Sequence, residues 1–227
     1  MLTALLIAML TAITVWWLLI QRLKDKPWTK QGVIPTSQET VTSSAPKVGL
    51  WVFLAVVSSL FGLFASAYMM RVGGHAGIAT WQPLDEPSIL WLNTLVLVLA
   101  SGAMQVARNR IDADDFTGGR SYFLTAGVLT VVFIAGQMLA WQQARAGGNV
   151  GPGSPAYAFF VLLTAVHGLH LLGGLFVLGR TTSRIFRVDA NNVVARSRIR
   201  TSVQLCTTYW HWLLLIWLGV FALLLST

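Results

Sequence analysis

The sequence predicts an all-α fold: a polytopic membrane helix bundle of six transmembrane helices, with both termini on the outer (periplasmic) side. Three observations predict it. Of the 227 residues, 55% are hydrophobic and only 11% charged, with a mean hydropathy of +0.66; a soluble domain carries about 25% charged residues. The apolar residues gather into six runs near the roughly 20 residues that cross a hydrocarbon core as helix. Every Asp, Glu, Lys and Arg falls between those runs. A transmembrane barrel would alternate apolar with polar residues, and these runs do not alternate.

The first run, Leu2–Ile20, lacks a basic segment before it and is followed by positive charge. A cleavable signal peptide has the reverse arrangement, so the run reads as a retained anchor with its N-terminus outside. "KDKPWTKQGVIPTSQETVTSSAPK" is a polar linker. The chain then divides into an added anchor over residues 1–20, a cytoplasmic linker over 21–47 and a five-helix body over 48–227. The body's spans are expected at Val48–Met70, Ile89–Val106, Ser121–Trp141, Tyr157–Leu178 and Val203–Leu225. The shortest, "ILWLNTLVLVLASGAMQVA", contains no ionised group and lies between Pro87 and Arg108.

Orientation follows from the basic residues. Loops after the first, third and fifth spans carry Arg22, Lys24, Lys26, Lys30, Lys47, Arg108, Arg110, Arg120, Arg180, Arg184, Arg187, Arg196, Arg198 and Arg200. The other loops carry Arg71 and Arg145 alone. Positive-inside bias puts the first set in the cytoplasm. It also accounts for a net charge of +8 without nucleic acid as a partner. The segment "RTTSRIFRVDANNVVARSRIR" reads as an orientation signal near anionic headgroups, with docking to an acidic surface as the lesser reading. "DADDF" reads as a solvated loop, or a cytoplasmic proton-collecting patch. Trp81, Trp91 and Trp141 fit an outer aromatic belt and Trp28 an inner one, and His75 is a loop residue.

With one cysteine, Cys206, an intrachain disulfide is excluded. With no charge inside any span, the usual equipment of a proton pump or ion-coupled transporter is missing. What remains is neutral and polar: Ser58, Ser59, Asn93, Ser101, Gln105, Gln137, Thr164, His167, His170, Gln204, Thr207, Thr208, Tyr209 and His211. Ser58, Gly62 and Ser66 form a small-residue stripe that admits close helix approach. His167 and His170 project from nearly one helix face. If the last two spans are neighbours, His170 and His211 share a depth. Three readings stay open for these imidazoles: metal or haem ligation, a proton relay, and hydrogen bonding to helices or lipid headgroups.

Five stretches carry a resemblance. "FVLLTAVHGLHLLGGLFVLG" resembles the helix of subunit III of haem-copper (cytochrome c or quinol) terminal oxidases that holds a His-Gly-x-His signature. "TTYWHWLLLIWLGVFALL" resembles that family's last helix. "GLWVFLAVVSSLFGLFASAYMMR", "WLNTLVLVLASGAMQVA" and "GVLTVVFIAGQMLAW" are similar to its three earlier helices, in family order over residues 48–227. The short form of the family has five spans beginning in the cytoplasm; Leu2–Ile20 is extra to it.

The resemblance implies a non-catalytic accessory subunit of a proton-pumping oxidase in a bacterial inner membrane. It implies that the chain binds neither haem nor copper, which reside in partner subunits. It also implies packing against catalytic subunit I, with subunit II and small subunits in the same complex, and phospholipid held in a cleft. Support of proton uptake and turnover stability goes with these. His167 and His170 match the family's histidine pair, Tyr209, Trp210 and His211 its last-helix motif, and Trp51, Asn93 and Gln137 further positions. Helix bridging and lipid binding are their implied roles.

Two departures stand out. Val57 and Leu214 occupy positions near which relatives carry carboxylates, so this chain is expected to escape slow carbodiimide modification in its helices. An accessory subunit of a nitric oxide reductase, from the same superfamily, is the alternative. A membrane b-type cytochrome or a stand-alone transporter is a weaker one.

Overall fold

The structure, a computed structural model, describes residues 45–73, 88–146, 154–187 and 193–226. The predicted anchor at Leu2–Ile20, most of the linker, and Trp28, His75 and Trp81 lie outside the described residues. Five helices follow one another: α1 Ala45–Gly73, α2 Ile89–Asp112, α3 Phe116–Ala146, α4 Pro155–Phe186 and α5 Val193–Leu225. All five are long and apolar enough to cross a membrane. The chain is a multi-pass membrane protein.

Each expected span of the body lies inside one helix, and the helices run on beyond it. The largest difference is in α5, which starts at Val193 rather than near Val203. Hydropathy marks where lipid begins, whereas backbone hydrogen bonding continues into the interface, here even through Gly179 and through Gly118 and Gly119. Arg180, Arg184, Arg196, Arg198 and Arg200, expected in a loop, therefore stand on helical extensions of α4 and α5. They mark what we call the basic end of the bundle.

The α2–α3 connection has three residues, Ala113, Asp114 and Asp115. Asp114 adopts φ 66°, in the left-handed region that Asp tolerates better than most residues. Asp115 then caps α3 by accepting the Gly118 N–H at 2.8 Å. That hydrogen bond holds the exposed Asp115 carboxyl below its ordinary pKa, with Arg110 adding to the effect. The "DADDF" stretch is thus a built turn. Arg196 and Arg200 of α5 both reach Asp114, at 2.5 and 2.6 Å.

Helix α5 is the hub. It packs on α1, α2 and α4, while α3 packs mainly on α2 and also on α4. Cross-helix hydrogen bonds give the register. Thr94 meets Trp217, Ser101 meets His211, and Met104 O meets Thr207, so α2 and α5 run antiparallel. Two glycines set close approaches. A Cβ at Gly136 would fall 2.0 Å from Asn93 Oδ1, and one at Gly174 would fall 2.8 Å from the Tyr209 ring. Helix α1 is the least enclosed and leaves Trp51, Val52, Val56 and Leu63 facing outward.

A candidate lipid groove and two histidine environments

The predicted site residues separate into three places. The first is a groove of about 420 Å³ between α1, α4 and α5. Leu50, Phe53, Gly173, Val177 and Trp210 make its walls apolar. Tyr209 lines it too, and its hydroxyl donates to the His170 carbonyl at 2.9 Å, tying α5 to α4. His170 itself packs against Phe53 and Phe61 of α1, and its Nδ1 lies 2.7 Å from Val166 O. Toward the basic end the lining turns polar, with Thr181, Arg180, Arg184 and Ser202. Among the described residues, neither Arg180 nor Arg184 has a carboxylate partner. By helix rise, Gly173 to Arg184 spans about 16 Å.

The second place is the bundle centre. His167 is wholly buried, and neither ring nitrogen has a hydrogen-bond partner. Its neighbours are Trp217 at 5.2 Å, Phe133 at 5.9 Å and Phe61 at 6.5 Å between ring centroids. The imidazole is packed as an aromatic ring among aromatic rings, where N–H···π contacts are the available polar interaction. Above and below it along the bundle interior, neutral polar groups pair between helices. Asn93 donates to Gln137 at 3.5 Å, Trp141 to Thr164 at 2.9 Å, and Trp217 to Thr94 at 2.9 Å. Trp210 donates to Thr130 at 3.2 Å. Each bond crosses between helices. Trp141, five residues from the end of α3, is half-buried through this bond, and Trp91 faces outward. Val57 is buried beside Phe61, and Leu214 packs on the same cluster, so both positions are filled as aliphatic ones.

His211 occupies the third place. Its Nδ1 lies 2.5 Å from Ser101 Oγ and its Nε2 3.0 Å from Gln105 Oε1. With the amide oxygen accepting, Nε2 carries the proton of the neutral ring and Nδ1 accepts from the serine hydroxyl. His170 and His211 do share a depth, since Tyr209 reaches the former and sits two residues from the latter. They face opposite sides of α5, however, one toward α1 and the other toward α2. No group of three or more His, Cys, Asp or Glu side chains comes together among the described residues.

Trp51, matched to a family position, is 63% exposed. Asn93, Gln137, Tyr209, Trp210 and His211 do bridge helices. Sequence reasoning missed Phe61, Phe133 and Trp217, because an aromatic residue in an oily run carries no mark of what it will touch. Ser101 and Gln105 were visible only as polar residues within a span.

Comparison with known proteins decides the family. The family model described as Cytochrome c oxidase subunit III matches residues 2–226. The chain belongs to that family. Its relatives include "Cytochrome c oxidase subunit 3" of Thermostichus vulcanus, 29% identical over 180 residues, covering 78% of this chain and 85% of that one. "Probable cytochrome c oxidase subunit 3" of Mycobacterium leprae (strain TN) is 28% identical over 184 residues, with the same shares. "Cytochrome c oxidase subunit 3" of Synechocystis sp. is 26% identical over 180 residues, covering 77% and 72%. As a subunit III, the chain is an accessory subunit of a haem-copper oxidase and works in a complex with other subunits.

Proposed function

We propose that this subunit III serves its oxidase as a non-catalytic, lipid-holding brace seated against catalytic subunit I. The groove between α1, α4 and α5 takes a phospholipid, with acyl chains along Phe53, Gly173 and Val177 and the headgroup phosphate on Arg180 and Arg184. The carrying observation is this joining of an apolar trough to two arginines that have no carboxylate partner among the described residues. Each such arginine near an anionic headgroup contributes about 1 kcal/mol. In this reading the basic end faces the cytoplasm of a bacterial cell, Leu2–Ile20 is a sixth span, and both termini are periplasmic. Haem and copper reside in the partner subunits, and the chain's own histidines serve packing and bracing. By steadying the lipid layer at the catalytic subunit's flank, the brace sustains proton uptake and turnover.

Cys206 provides the test, because it is the chain's one cysteine and lines the groove. In the purified complex, delipidation is expected to speed maleimide labelling of Cys206, and added phospholipid to restore protection. The Arg180→Ala/Arg184→Ala variant is expected to lose lipid by native mass spectrometry and to need more lipid for protection. Labelling indifferent to lipid, together with unchanged lipid retention in the double variant, overturns the groove assignment. Stoichiometric haem or copper on the isolated chain overturns the non-catalytic role.

A further inference from the structure

A second cavity, of about 160 Å³, lies between α3 and α4 and shares no lining residue with the groove. Thr164, Ala165 and Gly168 keep its α4 wall low, and Phe133 and Trp141 bring rings from α3. Met138, Leu169 and Leu172 form its mouth, and all three are exposed on the outside of the bundle. No charged side chain lines it.

Gln137 also lines this cleft, and it is 4% exposed. Its Oε1 accepts from Asn93 at 3.5 Å, but its Nε2 has no hydrogen-bond partner among the described residues. The other polar side chains of the cleft are already engaged. Trp141 Nε1 donates to Thr164 Oγ1 at 2.9 Å, and that hydroxyl donates to Phe160 O at 2.6 Å. By helix rise Gln137 lies about 12 Å inside Arg145, the last charged residue of α3, and Thr164 about 14 Å inside Pro155. Hydrocarbon offers no acceptor at that depth, and a buried amide hydrogen left alone costs about 1–3 kcal/mol. The unpartnered nitrogens of His167 are a different case, since His167 is enclosed by rings and does not line the cleft.

These features define a ligand. It is uncharged, because the lining has no charge to meet one. It carries an acceptor, because an N–H is what the cleft offers. Its body is apolar and of modest size: an apolar cavity of about 150 Å³ takes a benzene ring. It enters from the lipid, past Met138, Leu169 and Leu172.

We infer that the α3–α4 cleft binds the carbonyl group of a neutral, membrane-soluble molecule. Gln137 Nε2 donates to the carbonyl oxygen, and Phe133 and Trp141 pack on the body beside it. A quinone ring and the ester of a lipid both present this chemistry. The inference stands apart from the groove between α1, α4 and α5 and does not depend on its occupant.

Two photoreactive probes, added separately to the intact complex in nanodiscs, test it. One is an azido-substituted benzoquinone with an isoprenoid tail, the other a phosphatidylcholine with a diazirine beside its ester. At least one is expected to label residues 133–141 and 164–172, and an excess of the unlabelled compound of its class to suppress that labelling. Suppression by the quinone assigns a ring carbonyl, and suppression by phosphatidylcholine alone assigns an ester. Gly168→Leu fills the cleft, with nothing within 4 Å of a Cβ there to clash, and should abolish the labelling. Gln137→Leu should weaken it about fivefold, the equivalent of one hydrogen bond. No labelling by either probe, labelling as strong at the outward Val128, Val131 and Val132, or labelling that no competitor suppresses overturns the site. Labelling undiminished in Gln137→Leu overturns the carbonyl contact. A second measurement needs no variant: the carbonyl stretch of the isotope-labelled, bound probe in the wild-type complex should fall below its value in dry alkane. An unshifted stretch overturns the contact whether or not Gln137→Leu assembles.

Discussion

His167 and His211 are the same residue type, within one bundle, put to opposite uses. His167 is sealed among Trp217, Phe133 and Phe61 with neither nitrogen hydrogen-bonded, while His211 sits at the surface with both nitrogens engaged. In water this would be an odd allocation, since the enclosed ring lacks partners and the open one has them. In a membrane it is coherent. The His167 ring is held by shape among aromatic rings, and the interior around it combines interhelical hydrogen bonds with glycines that admit Asn93 and Trp210 to neighbouring backbones. The outer seam, lacking close packing on one side, is held by hydrogen bonds, each contributing about 0.6 to 2 kcal/mol.

The comparison can be broken most directly at the centre. Removing the His167 ring leaves a hole lined by three aromatic side chains, so His167→Ala is expected to cost about 2–4 kcal/mol. His167→Phe, which keeps a ring and discards the nitrogens, should cost less than about 1.5 kcal/mol. Thermal loss of this chain from the solubilised complex measures both. Equal damage from Phe and Ala would show that the nitrogens matter. Gly174→Val comes next: its added atoms meet the Tyr209 and Trp210 rings, and overpacking of this kind costs about 1–3 kcal/mol by the same measurement.

At the seam the expected effects are smaller and chemical. His211→Phe keeps a ring but discards both hydrogen bonds, so it should cost as much as His211→Ala, about 1 kcal/mol, whereas at His167 Phe is expected to be milder than Ala. If both positions accept Phe equally, the contrast fails. Weakest is the Asp114–Arg196–Arg200 cluster, exposed to solvent, where Asp114→Asn is expected to cost less than about 1 kcal/mol and less still in high salt.

A pH dependence at the α2–α3 turn sharpens the same point for the water-facing end. The folded pKa of Asp115 lies below its ordinary value, chiefly through the Gly118 N–H. The cap's contribution is therefore complete above the ordinary carboxylate range and is lost as pH falls through the depressed folded value. Asp115→Asn should flatten that acid-side decline in thermal stability, and an unchanged decline would remove the cap from the account.

Much of this was legible in the sequence. Five spans of the body, their order and the basic end were set by composition, because lipid tolerates only long, uncharged, internally hydrogen-bonded segments. Asn93, Gln137, Tyr209, Trp210 and His211 were already conspicuous as polar or amphipathic residues in oily surroundings, and each does bridge helices. The helical extensions carrying Arg184 and Arg196 were not visible, since hydropathy reports solvent rather than backbone bonding.

What the sequence by itself determined was which solvent each segment prefers, and so which segments are helices in a bilayer. Which partner each polar group finds was decided only by the packed bundle. Hydropathy acts residue by residue along the chain, whereas the angle at which α5 meets α1, α2 and α4 depends on all of their side chains at once. Only that packing put His167 among rings, turned His211 outward, and opened a groove beside Arg180 and Arg184.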